Sequence, residues 1–132
     1  MHEKSLVRLR FDSMNTTLLT QAQIEGEITR LSDALEAETY DYRDISLSAA
    51  EAEAAFKHRH ATATLSMATE ATDGRKRTAS ERAAYADRVS GDEFRLFRIA
   101  EARRGASRES MLSLRTRIDA LRTLAANIRY QT

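Results

Sequence analysis

Two groups of cations carry the residue types and spacing in this chain that suit chemistry. The first is Phe56-Lys57-His58-Arg59-His60, and the second is Arg75-Lys76-Arg77, continued by Arg82. Clustered Lys and Arg neutralise phosphates and release condensed counterions, the main source of sequence-independent affinity for nucleic acid. Phe56 and Tyr85 add aromatic faces of the kind on which the bases of a single strand stack. The helical register of Phe56 favours a place in a packing seam instead, and for Tyr85 the sequence leaves both readings open. Lys57 and Arg59 are two apart, so they flank that seam. A strand would touch both only along the edge of a helix.

Other chemistries are excluded by what the sequence lacks. There is no G-x-x-x-x-G-K-[ST] loop for phosphates and no G-x-G-x-x-G turn for a dinucleotide. His58 and His60 point roughly 200° apart around a helix and cannot share one metal. Cysteine is absent, so neither a thiolate site nor a disulfide framework is available. Glu51 and Glu53 face apart and read as a solvated surface, and no Ser or Thr is flanked by a visible base. The expectation is a protein without catalysis of its own, without a cofactor and without a metal.

The elements that must position the cations are helices. The chain has 132 residues, enough for one small domain, with no Pro and four Gly to punctuate it. Ala, Arg, Glu and Leu, all good helix formers, are abundant. Residues 1–19 read as an N-terminal extension and 20–132 as one helical oligomerisation and DNA-binding domain. From Thr20 the apolar residues settle into steps of three and four through Ile28, Leu31, Leu35, Tyr42, Ile45 and Phe56. With no breaker before Gly74, the spacing predicts one helix to about Ala71, and fifty residues at 1.5 Å make roughly 75 Å. A turn over Thr72–Arg77 follows. Thr78-Ala79-Ser80-Glu81 is then a capping box that starts a short helix at Ala79, ending near Val89. The last helix runs from about Asp92 to Tyr130, through Gly105, with Met111, Leu114, Ile118, Leu121, Ala125 and Ile128 at seam spacing. Leu112 and Leu124 widen that seam toward a second neighbour. The fold class is therefore all-α: a long, coiled-coil-like helical hairpin with a short middle helix. An Ala-rich core is thin, so the hairpin is expected to assemble as a homo-oligomer through the seam residues just named.

Net charge is +1, but it is unevenly distributed. Residues 20–56 hold nine acids against two arginines, a balance of −7, and residues 57–132 hold sixteen cations against nine acids, a balance of +7. The two halves either neutralise each other across the hairpin or present an acidic and a basic surface. The arginines of the last helix spread around its circumference, and most are expected to pair with the acids of the first, within or between subunits. No apolar run approaches the roughly 20 residues of a membrane span, and no signal peptide is visible. A soluble, cytoplasmic protein is expected.

Three stretches resemble the UvsY-like recombination mediators of bacteriophages. Phe56-Lys57-His58-Arg59-His60 is similar to that family's apolar-Lys-x-Arg-apolar segment on the first long helix, and departs from it at His60, where the family segment is usually apolar. Thr78-Ala79-Ser80-Glu81-Arg82-Ala83-Ala84-Tyr85-Ala86 resembles the T-x-x-E-R-x-A element after the Gly turn. Ser110 to Thr123 resembles the Leu/Arg-rich closing helix. Together they span about half the chain. The resemblance implies a homo-oligomer that binds single-stranded DNA in an infected or lysogenic host. It would displace single-strand-binding protein and help load a RecA-like recombinase. Lys57 and Arg59 carry the binding by that likeness; Arg75, Lys76, Arg77 and Arg82 join them on charge alone. Two other readings fit the same residues: a structural or adaptor coiled coil that binds only protein, or an inhibitor whose acidic face (Glu25 to Glu53) mimics nucleic acid.

Overall fold

A computed structural model describes residues 19–67 and 74–131, and the expected extension over residues 1–19 lies outside them except for Leu19. Three helices make up the fold: α1 (Gln21–Ser66), α2 (Ala79–Val89) and α3 (Gly91–Gln131). The all-α class and the short middle helix agree with the spacing of the apolar residues.

Each helix start has a local cause. α1 opens on Thr20, whose N–H donates to Gln23 Oε1 at 2.8 Å while its Oγ1 accepts from the Gln23 N–H at 3.1 Å. This reciprocal pair satisfies two otherwise orphaned donors. α2 opens on the expected box: the Glu81 N–H donates to Thr78 Oγ1 at 3.0 Å, and the Thr78 N–H to Glu81 Oε1 at 3.2 Å. Ser90 alone separates α2 from α3. Its N–H and its hydroxyl both donate to the Ala86 carbonyl, and its own carbonyl accepts from Phe94.

α1 stops at Ser66, five residues before the expected Ala71. In its last turn the hydroxyls of Thr64 and Ser66 bond back to the carbonyls of His60 and Ala63. Hydroxyls that compete for backbone acceptors weaken helix continuation. Of the predicted turn, Thr72 and Asp73 lie outside the described residues. Gly74 has φ +82°, the left-handed region that glycine enters without a Cβ penalty. α3 runs straight through Gly105, as the flanking residues predict.

The chain divides into two compact units, each with its own core. Residues 19–39 and 110–131 form the first. Ile24, Leu31, Met111, Ile118 and Ala125 are buried there. Leu35 shares a recess with Ile118, and Leu31 shares another with Leu121, so the two segments run antiparallel. Ile28, Leu114, Leu124 and Ile128 are half-buried, while Leu112, expected to widen the seam, is exposed.

Tyr40–Glu109 form the second unit, in which segments of α1 and α3 pack with all of α2. Its core is made of small side chains: Ala49, Ala63 and Ala86, with Ser90 and Ser107 also buried. Tyr42, Ile45 and Phe56 are half-buried. The Phe56 ring stacks on Phe97 at 5.9 Å and meets Phe94 at 5.1 Å. Offset and tilted ring contacts of this kind add about 0.5–1.5 kcal/mol beyond area burial.

Candidate nucleic-acid interface

All six cations chosen from the sequence belong to the second unit. Register decides how α1 presents its share. With Phe56 turned into the aromatic cluster, Lys57, His58 and Arg59 are exposed, Lys57 and Arg59 on opposite flanks of the seam, roughly 200° apart. Lys57 Nζ lies 3.5 Å from Glu53 Oε2, one turn back, with both side chains largely in water. A pair of that length and exposure contributes about 0–1 kcal/mol and yields readily to a competing phosphate. Arg59 has no carboxylate partner among the described residues.

His60, the polar residue at a seam position, is half-buried, and its Nε2 lies 3.0 Å from Asp87 Oδ1 on α2. This contact ties α1 to α2. The two residues are 27 apart in sequence, and no local pattern pairs them. Phe56 and His60 rings also meet, at 5.7 Å.

The cations of the turn are more engaged. Arg75 grips Glu81 with two bonds, Nη1 to Oε1 at 3.0 Å and Nη2 to Oε2 at 3.2 Å. Those bonds, with the N–H of Thr78, hold the Glu81 carboxyl at about 2, far below its ordinary 4.5. Arg82 donates to the Arg77 carbonyl at 3.0 Å, bracing the turn against α2. Arg77 is half-buried with Nη1 at 3.1 Å from Met67 Sδ, and its Nε is enclosed with no acceptor among the described residues. Lys76 alone of the three is exposed with no acidic partner among the described residues. Two of the charge-selected residues, Arg75 and Arg82, therefore serve local structure. Lys57, Arg59 and Lys76 are the ones held out to solvent.

Comparison with protein-family models, curated proteins and solved structures found no match.

Some of the arginines along α3 pair within their own helix. Arg104 bonds Glu101 and Arg122 lies near Asp119, each three residues away on the same helix. Arg108 donates to the Tyr42 hydroxyl at 3.3 Å, which draws that phenol below its ordinary pKa. On α1, Arg30 pairs with Glu27 and Lys57 with Glu53, again within the helix. Local i,i+3 and i,i+4 pairs thus take up part of the charge on both helices, and the Arg117 charge on α3 also lowers the Glu27 carboxyl on α1. Tyr85 is half-buried, with the Arg88 guanidinium 5.5 Å from its ring centre.

No group of three or more His, Asp or Glu is placed to hold a metal among the described residues, and no described helix is long and apolar enough to cross a membrane. Beside the aromatic cluster lies an open pocket of about 320 Å³ lined by Phe56, Asp87, Ser90 and Phe94. Sequence reasoning missed it, because its walls come from three helices.

Proposed function

We propose that this protein binds single-stranded DNA as a mediator of phage-type recombination, assembling with further copies of itself and helping to load a RecA-like recombinase. The observation that carries the reading is the exposure of Lys57 and Arg59 on the flanks of α1, Arg59 without a carboxylate partner among the described residues and Lys57 in a weak pair. Two cations in that state accept phosphates at little desolvation cost, and Lys76 adds a third. Half-buried Ile28, Leu35, Leu121 and Ile128 leave apolar surface for other copies of the chain to cover.

Titrating a labelled single strand at two salt concentrations tests the binding. Affinity falls with salt, with a log-log slope near −0.7 for each phosphate neutralised. Changing Lys57 and Arg59 together to Ala reduces the slope by about 1.4 while helicity is retained. Binding that ignores salt, or that prefers duplex, would overturn the reading.

A protein-only scaffold is the second reading, favoured by Leu96 and Ile99, exposed one turn apart on α3, and by the local duties of Arg75 and Arg82. For a scaffold the same double change alters the mass in solution and there is no DNA affinity to lose.

A further inference from the structure

We infer that the acidic outward face of α1 packs on the basic outward face of α3 in another copy of this chain, so that copies join head to tail. This rests on the self-assembly part of the reading above and names its two surfaces. It does not depend on DNA.

Each face mixes exposed apolar side chains with charges of one prevailing sign. On α1, Tyr40, Asp44, Leu47 and Glu51 fall within roughly 60° of the helix circumference, each roughly 140° or more from buried Ala49. On α3, Arg95, Leu96, Ile99 and Arg103 fall within roughly 100°, each at least roughly 100° from the Phe97 ring that enters the aromatic cluster. Tyr40 and Leu47 are each 59% exposed, Leu96 53% and Ile99 47%. A single exposed apolar side chain is ordinary, but large ones gathered on a face mark an interaction surface. Both faces belong to the second unit and turn away from its core, so one chain cannot bring them together.

Charge says what covers them. Asp44, Glu51, Arg95 and Arg103 have no ion-pair partner among the described residues. The order on α1 is acid, leucine, acid, and on α3 base, isoleucine, base. An apolar centre flanked by opposite charges is the arrangement of a specific contact, whereas either face set on its own copy would oppose like charges. The exceptions have local duties. Arg43 rests 5.3 Å from the Tyr40 ring centre, and Asp92 lies in the first turn of α3, where an acid suits the helix dipole. A junction built from two different faces leaves one of each unused at the ends of any pair. Growth therefore continues until a ring closes or a filament forms.

The test is the mass of the full chain in solution, measured by light scattering after size exclusion. The wild-type protein has a mass above that of two copies, and added salt lowers it. Leu47→Asp and Ile99→Asp, both at exposed positions, keep the helical signal and each reduce the mass to one copy. Mixed in equal amounts, the two variants form pairs and nothing larger, because one intact α1 face and one intact α3 face remain. A wild-type mass of two copies or fewer overturns the assignment. So does a mass that either change leaves intact, or a mixture that stays at one copy. None of these readouts uses DNA, so a chain that ignores a labelled strand yet assembles this way keeps the junction and loses only the nucleic-acid half of the reading.

Discussion

The unit of residues 19–39 and 110–131 and the unit Tyr40–Glu109 draw on the same two long helices and fill their cores with opposite materials. The first buries Ile24, Leu31, Met111 and Ile118, side chains large enough for two helices to hold one another without a third. The second buries Ala49, Ala63, Ala86, Ser90 and Ser107, and its large aromatics are only partly covered. Small side chains at a contact let helix axes come close, toward the short end of the usual 8–10 Å. α2 lies beside α1 in that unit, where His60 meets Asp87. The difference also separates tasks. Every exposed cation nominated for binding and the open pocket beside Phe94 lie in the unit with the small-residue core.

The sharpest way to break this comparison is to open a hole in the first unit and overfill the second. Leu31 is 1% exposed in a core of few large residues. Leu31→Ala is expected to cost about 3 kcal/mol, read as a lower urea midpoint, because the lost contacts and the residual cavity add. Ala86 is fully buried where α2 joins the second core. Ala86→Leu is expected to cost about 2 kcal/mol by overpacking, and to reduce binding along with stability because it pushes α2 away. If Ala86→Leu proved neutral while Leu31→Ala did not, the second core would be loose and the close approach of α2 would not be what sets the pocket.

The two units also differ in how far the sequence disclosed them. Steps of three and four through Leu31, Leu35, Ile118 and Leu121 are a direct imprint of burial, and the structure places these residues inward. The start of α2 was legible for the same kind of reason, since a capping box is written within four residues. Thr20-Gln21-Ala22-Gln23 carries the same signal at the start of α1. The candidate site was legible only as charge. That Lys57 and Arg59 stay in water while Arg75 and Arg82 are drawn into the cap and turn depends on contacts five or more residues away. The pairing of His60 with Asp87, and the pocket beside it, depends on tertiary approach with no local trace.

A smaller effect isolates α2 from both cores. Thr78→Ala removes one half of the box and is expected to cost about 1 kcal/mol. Circular dichroism should show the loss as fraying limited to about one short helix, with α1 and α3 intact. Equal loss across all helices would mean that the second unit depends on α2 more completely than its small side chains suggest.

The smallest expected effect is a pH dependence confined to the same helix start. Glu81 is held at about 2 by the two Arg75 bonds first and then by the Thr78 N–H, against an ordinary value of 4.5. A depressed carboxyl pKa means that the uncapped chain takes up the proton more readily than the capped one. The contribution to α2 is therefore complete above pH 4.5, declines as pH falls below it, and is gone near pH 2. The carboxyl resonance of Glu81, followed by NMR, should titrate near 2 in the wild type and move up toward 4.5 in Arg75→Ala. In the first unit, Glu27 is also lowered, mainly by Arg30, and its resonance should be untouched by that change. A wild-type Glu81 midpoint already near 4.5 would release Arg75 from the cap.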